Sequence, residues 1–258
     1  MTDTPAPPLQ PPPPTYATLM VASCNVLNLA LPGRAYYDNQ EPYRSDEYER
    51  KIGWLGAQFA RLNADVIGVQ EVWDEAALKA AAGRSGLHGL DVRVPGAEAG
   101  AQGTPRVGLI SRLPVEHLES VADFSEGLAV DVPEIGRHAR FERPVLRAML
   151  RLPHGGRLHL LVVHLKSKRP KYLQDALGRP AEDSSDPGVT ARATLRSLLM
   201  RAAEAAALRA IVVQIASGTT IDPNNLDPHA PMPSVATKTF VYVCDHPPPN
   251  VVVTKKKG

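Results

Sequence analysis

The sequence predicts an α/β protein, and three stretches predict it. A helical pattern over Ser45–Leu62 passes through a short turn at Asn63 into an apolar, β-branched run at 65–70. Helix, turn and buried strand in that order is an α/β pattern. Two further apolar runs, 145–152 and 158–165, flank a turn cluster at 153–156 and read as a β-hairpin. Residues 190–215 form a long alanine-rich helical pattern. The 258 residues suffice for one large domain or two small ones, and a 43% hydrophobic share allows a sizeable core.

Taken in order, residues 1–15 are a proline-rich leader. Such a segment favours polyproline II and cannot donate to a sheet ladder. It reads as a solvated tail, with adaptor contact through a PxxP-type motif as the alternative. Residues 17–29 read as the first strand, with the polar Asn25 near its end. An Asn there is a turn former or strand cap, or it offers its amide to a metal or a phosphate. Residues 31–43 are a loop. The helix that follows has Ser45 as N-cap, with Asp46 and Glu47 suiting the positive end of the dipole. Its Tyr48, Ile52, Leu55, Phe59 and Leu62 face the core, and Trp54, off that stripe, is expected to pack rather than bind.

The run at 65–70 stops abruptly at Glu71. A carboxylate at the end of a buried strand lies at the sheet rim, where loops converge and a metal can sit; the alternative is an ordinary surface acid. A second helix spans 75–82, stopped by Gly83, and 86–105 is a glycine-rich loop. Strands follow at 107–112 and 115–124, then the hairpin, whose second arm runs into His164-Leu165-Lys166-Ser167-Lys168. Residues 169–188 are a polar loop. The long helix is expected to bury Leu195, Leu198, Leu199, Ala202, Ala206, Val212 and Ile215 and to stop at Gly218. After a proline-rich loop at 222–234, residues 237–244 and 251–253 are candidate strands, and Lys255 to Lys257 a solvated tail.

Charge and composition exclude little. A formal net charge of +2 neither demands nor opposes a phosphate-bearing substrate. The two cysteines, Cys24 and Cys244, do not make a disulfide scaffold and are read as free thiols. No segment resembles a signal peptide and no apolar run has the length of a membrane span. The expectation is a cytoplasmic monomer without a membrane partner.

Asn25, Glu71, His164 and the pair Asp245-His246 each follow a strand-like run. A sandwich gathers such strand-end groups at one rim. Asn and Glu oxygens suit a hard cation such as Mg²⁺, and histidines suit proton transfer near neutral pH. Together they fit metal-assisted attack of water on a phosphodiester.

On SCNVLNLA (23–30), DVIGVQEVWD (65–74), GLISRLPV (108–115) and VVHLKSK (162–168), the sequence resembles the endonuclease/exonuclease/phosphatase superfamily. The four segments occur in family order and spacing across about 17–217, and YYDNQEPY (36–43) leading into a long helix is similar to bacterial members. The resemblance implies a DNase I-like four-layer α/β/β/α sandwich. It implies that Glu71 is the central metal ligand and that Asn25 helps hold metal and phosphate. His164 would sit beside the scissile phosphate as acid or oxyanion stabiliser, and Lys166 and Lys168 would lie near substrate phosphates. Arg112 is expected to brace the strand edge.

The resemblance weakens after the long helix. The family has a strand and a G-D-x-N motif there; this chain has GTTIDPNNLDPHAP. Asp222 and Asn224 keep the D-x-N spacing, whereas alignment on Pro228-His229-Ala230 pairs Asn225 with the family Asn and loses the Asp. CDHPPPNVVV resembles the closing motif, making Asp245 a metal-side acid and His246 a general base. The three prolines that follow remove donors from the next strand. The second half of the sandwich is therefore expected to be incomplete over 218–258.

These implications converge on a hydrolase with Mg²⁺ (or Mn²⁺) as cofactor and nucleic acid as substrate. Catalysis falls to His164, His246 and Asp222, substrate binding to Asn25, Lys166 and Asn224, and metal binding to Glu71, Asn25 and Asp245. The rival readings are a catalytically impaired remnant that binds a partner, and a phospholipid or phosphoinositide phosphoesterase.

Overall fold

A computed structural model describes residues 19–37, 40–153 and 157–217, with the backbone of two further strands, Thr239–Cys244 and Val253–Lys255. The leader, Asp222, Asn224, Asn225, Asp245 and His246 lie outside the described residues.

The elements are β1 (Met20–Leu29), α1 (Ser45–Leu62), β2 (Val66–Val72), α2 (Glu75–Gly83), β3 (Asp91–Arg93), β4 (Arg106–Ser111) and β5 (Val115–Asp123). They continue with β6 (Val130–Val132), β7 (Gly136–His138), β8 (Arg140–Arg151), β9 (Arg157–Val163), α3 (Pro187–Ser217), β10 (Thr239–Cys244) and β11 (Val253–Lys255). Two mixed sheets carry the fold, in the orders β11-β1-β2-β4-β3 and β10-β9-β8-β5, and β6-β7 is a separate hairpin.

Side-chain parity stacks these elements in four layers. Successive strand residues face opposite sides of a sheet. Val21, Val66, Val107 and Leu109 of the first sheet meet Leu146, Ala148, Leu150, Leu158, Leu160 and Val162 of the second in one buried cluster. The opposite parity of the first sheet, Ala22, Cys24, Ile67, Val69 and Ile110, packs on Tyr48, Ile52, Leu55 and Phe59 of α1 and Ala77 and Leu78 of α2. The outer parity of the second sheet, Val145, Leu161 and Val163, packs on Ala207, Leu208, Ile211 and Ile215 of α3. The architecture is the α/β/β/α sandwich expected from the sequence. β10 lies parallel to β9 and β11 antiparallel to β1, so the C-terminal segment adds an edge strand to each sheet.

Several expectations need correction. Ser45 is the first helical residue of α1 and not its cap; Arg44 occupies the cap, and its backbone N–H donates to the Glu47 carboxylate at 3.0 Å. Trp54 is 57% exposed and does not pack. The glycine-rich loop holds β3, and β6-β7 arises where no strand was expected. Arg112 does brace the edge, donating to the Asn63 side chain at 2.6 Å, where Asn63 caps α1 in a left-handed turn. Cys24 is buried.

The largest correction concerns α3. Leu195 and Leu198 are 46% and 60% exposed, Ala202 and Ala206 are exposed, and the buried residues include Arg196, Ser197 and Glu204. Ile215 is buried as expected and Val212 packs against the core, but toward the N-terminal half hydrophobic spacing selected the wrong stripe, because the buried one there includes polar residues. Arg196 ties α3 to two distant loops, bonding Glu134 at 2.6 Å and Glu182 at 2.8 Å, and donating to the carbonyls of Pro133 and Lys171. Removing one member of a buried ion-pair group leaves the others uncompensated. The Glu134 side chain is 46% exposed and can turn to water, which moderates the loss. Arg196→Ala is expected to cost about 2 kcal/mol, read as a lower denaturant midpoint at unchanged m-value.

Candidate active site

Glu71 is placed by a double irregularity. On the β1 side the ladder pairs Asn25 with Gln70 and resumes at Leu29 with Val72, so Val26, Leu27 and Asn28 oppose the single Glu71. On the β4 side it breaks between Val69 and Val72. A bulge of this kind re-aims a side chain away from the alternating pleat. The backbone at Glu71 is left-handed, φ 65°, as it is at Leu27 (53°) and Asn28 (56°). An L-residue with a long side chain pays about 1–2 kcal/mol for that conformation, and such residues concentrate at functional sites.

The surroundings hold this turn in place. Lys51 of α1 reaches the Leu27 carbonyl and the Tyr43 hydroxyl. Asn28 accepts the Trp73 indole N–H at 3.2 Å, and the buried Asp74 takes the Leu31 amide and the Arg34 guanidinium. Burial brings the Lys51 ammonium down to about 8, with the Glu71 carboxylate pulling the other way.

Asn25 and His164 converge on Glu71. The Asn25 Nδ2 donates to Glu71 Oε1 at 2.9 Å, and the Leu27 N–H donates to Asn25 Oδ1 at 2.8 Å. These two bonds fix which end of the amide is oxygen and turn that oxygen onto the backbone. Asn25 thus orients the Glu71 carboxylate. His164, just past the end of β9 in the other sheet, sets its Nε2 3.9 Å from Glu71 Oε1. The side chains are 10% exposed for His164 and 21% for Glu71, so both lie in a shallow rim site.

Its environment favours the neutral form of His164. Burial first, and then the cations Arg143 and Arg201, push its imidazole down to about 3. A neutral ring can still donate one hydrogen bond. The shift also has a stability consequence. Between pH 6.5 and 3 the unfolded chain holds the proton and the folded chain does not, so stability is lost as pH falls through that window. Without added metal, lowering the pH from 7 to 5 is expected to cost about 2 kcal/mol through this group. Denaturant midpoints at the two pH values test it: His164→Asn should flatten the slope, and an unchanged slope would refute the assignment.

Arg143 completes the site and was missed by the sequence reading. Its Nε and Nη1 are buried and, among the described residues, have no hydrogen-bond partner. It acts on His164 and on Tyr37, whose phenol is pushed up by burial while Arg143 draws it down, and Tyr37 also feels Glu71. Unsatisfied guanidinium N–H groups beside a neutral histidine form a ready anion seat. The available signal was Pro144: a proline inside a strand marks a bulge or an edge, and here the β5–β8 register shifts between Val145 and Arg140, the stretch that carries Arg143.

Lys166 is 7% exposed, and its Nζ lies 3.4 Å from the Ser167 carbonyl. Burial lowers its ammonium, with Glu142 opposing. It is thus packed beneath the rim, whereas Lys168 is exposed. Among the described residues no group of three or more His, Cys, Asp or Glu side chains is arranged to hold a metal ion. The described donor set is one carboxylate, held at the rim. Mg²⁺ is commonly bound through one or two carboxylates with water and substrate phosphate completing its shell, so Glu71 fits that ion.

No protein-family model and no curated protein matches the chain. Solved structures do. The D. rerio TDP2 complexed with single strand DNA product is 13% identical, with a TM-score of 0.42, over 89% of this chain and 61% of that one. The human Nocturnin catalytic domain with bound sulfate anion is 14% identical, with a TM-score of 0.44, over 79% and 62%. An endonuclease/exonuclease/phosphatase family protein from Bacteroides thetaiotaomicron is 19% identical, with a TM-score of 0.38, over 58% and 50%. The chain spans about half to three fifths of the length of these structures. Among the described residues no helix is long and apolar enough to cross a membrane.

Proposed function

We propose that this chain is a metal-dependent phosphodiesterase of the endonuclease/exonuclease/phosphatase superfamily, acting on nucleic acid. The observation that carries the reading is the meeting of Asn25, Glu71 and His164, far apart in sequence, with Glu71 held in a costly left-handed conformation at the rim. The ordered motif set supports it independently.

In this reading Glu71 holds Mg²⁺, or Mn²⁺ in its place, and Asn25 keeps the carboxylate turned toward it. The ion supplies Lewis-acid stabilisation of charge on the phosphate. The Arg143 N–H groups that have no partner among the described residues bind non-bridging oxygens, and the neutral His164 donates a hydrogen bond to the charge that builds there. Water attacks phosphorus, the ester P–O bond breaks, and the leaving oxygen takes a proton. The base that activates the water is assigned to His246 or Asp222, with Asp245 on the metal side and Asn224 on the phosphate, all four outside the described residues. Lys168 and Arg169 extend the cationic rim toward a polyanionic strand.

The test is hydrolysis of bis(4-nitrophenyl) phosphate and of a labelled oligonucleotide in Mg²⁺, with and without chelator. Turnover that the chelator abolishes supports the reading. Phosphate binding without turnover would favour an inert binding remnant, and turnover unaffected by chelator would contradict the metal.

A further inference from the structure

The buried carboxylate of Glu204 has no part in the chemistry above, yet both its oxygens are engaged at the strand ends that carry the site. Oε1 accepts the Glu142 backbone N–H at 2.9 Å and Oε2 accepts the Lys166 backbone N–H at 2.5 Å. Glu204 itself is 1% exposed. Burial pushes its carboxyl up from the ordinary range, and these two N–H groups draw it back.

Its location explains why a charge is spent there. The β8–β9 ladder runs from Arg151 opposite Arg157 to Leu146 opposite Val162, and no pair lies beyond Leu146. Residues 142–144 and 164–166 therefore continue past their mutual hydrogen bonds, and Pro144 has no N–H to give. Arg143 and His164 sit on those two continuations. β5 still flanks the first continuation, at Val145 and Arg140, but among the described residues no ladder pair ties it to the second. Glu204 supplies that tie from α3, one oxygen to each continuation.

We propose that Glu204 is a positioning residue, a splint whose two oxygens lock the Arg143 and His164 segments at a fixed separation for phosphate; the functional meaning rests on the reading above. The same helix face reinforces the second segment. Arg201 donates to the Lys166 carbonyl at 3.0 Å and Ser197 to the Arg169 carbonyl at 2.5 Å. Residues 197, 201 and 204 lie on one face of a helix, and the buried polar stripe of α3 is then the grip on the β9 exit.

The chemistry demands a carboxylate. Two converging N–H donors need two acceptors, and an amide of the same shape offers one acceptor and one donor. Glu204→Gln removes a buried charge, so a residue that only filled space would leave the protein as stable or more so and fully active. A splint behaves differently, since the amide NH₂ must face one of the two N–H groups.

The experiment combines hydrogen exchange, anion binding and turnover on the full chain. In wild type the Glu142 and Lys166 amides should be protected although they lie outside the ladder, and this readout needs no variant. In Glu204→Gln one of them should lose protection by about tenfold or more. The same variant should weaken inorganic phosphate, followed on the Arg143 Nε–H resonance, by about tenfold. Turnover of bis(4-nitrophenyl) phosphate should fall by about 10²-fold, chiefly in kcat. Wild-type amides that exchange freely, or a Gln variant with protection, phosphate affinity and rate intact, would overturn the splint. If wild type hydrolyses no diester, the proposed function fails while exchange and phosphate binding still decide this inference.

Discussion

Glu71→Gln is expected to lower diester turnover by at least about 10³-fold while the protein stays folded. The amide keeps the size of the carboxylate and loses its charge, so the anchor for a divalent cation is removed. The fold should tolerate it, because the strain is in the backbone: φ at Glu71 is 65° whatever the side chain. Glu71→Gly separates the two effects. Glycine adopts a left-handed backbone without cost, so this variant should match or exceed wild-type stability by up to about 1 kcal/mol and be equally inactive. Loss of stability in the glycine variant would mean that the position is not held against strain. A glutamine variant with wild-type rate would mean that the metal is anchored elsewhere.

Arg143→Ala is expected to lower kcat/KM by about 10²–10³-fold. Two guanidinium nitrogens of Arg143 are buried without a partner among the described residues, a costly condition unless a further group satisfies them. Arg143→Lys should recover little, since an ammonium cannot reproduce the planar fork that meets two phosphate oxygens. The alanine variant should also release His164, whose imidazole is held low partly by this cation, so its pKa should rise from about 3. A rate loss without that rise would place Arg143 away from the histidine.

Much of the fold was legible in the residues. The helix Ser45–Leu62 was read to its ends because its apolar spacing and its stop at Asn63 agree. β2 was legible as a β-branched run closed by an acid. The four layers followed from the motif order, and parity within β1, β2, β8 and β9 bears them out. β3 and the β6-β7 hairpin were not legible, since three-residue strands are too short to show a period. The buried face of α3 was read correctly at Ile215 and misread earlier in the helix, where Arg196, Ser197 and Glu204 are inside on account of hydrogen bonds, which hydrophobicity cannot report.

The site divides in the same way. Glu71, Asn25 and His164 were found as polar residues ending apolar strands, and the structure brings them together. Lys51, Tyr37 and Arg143 come from a helix, a loop and an irregular stretch of a strand, where no spacing rule singles them out. Lys166 carries a motif position but lies beneath the surface, held by the α3 stripe.

The account rests on a divalent cation meeting a phosphate at the Glu71 carboxylate. Crystals soaked with Mn²⁺ and inorganic phosphate, with anomalous scattering recorded for the manganese, test that most directly. The expected result is one anomalous peak about 2 Å from a Glu71 oxygen, with phosphate between it and the Arg143 guanidinium. A manganese peak elsewhere with none at Glu71, or phosphate bound away from Arg143, would contradict it.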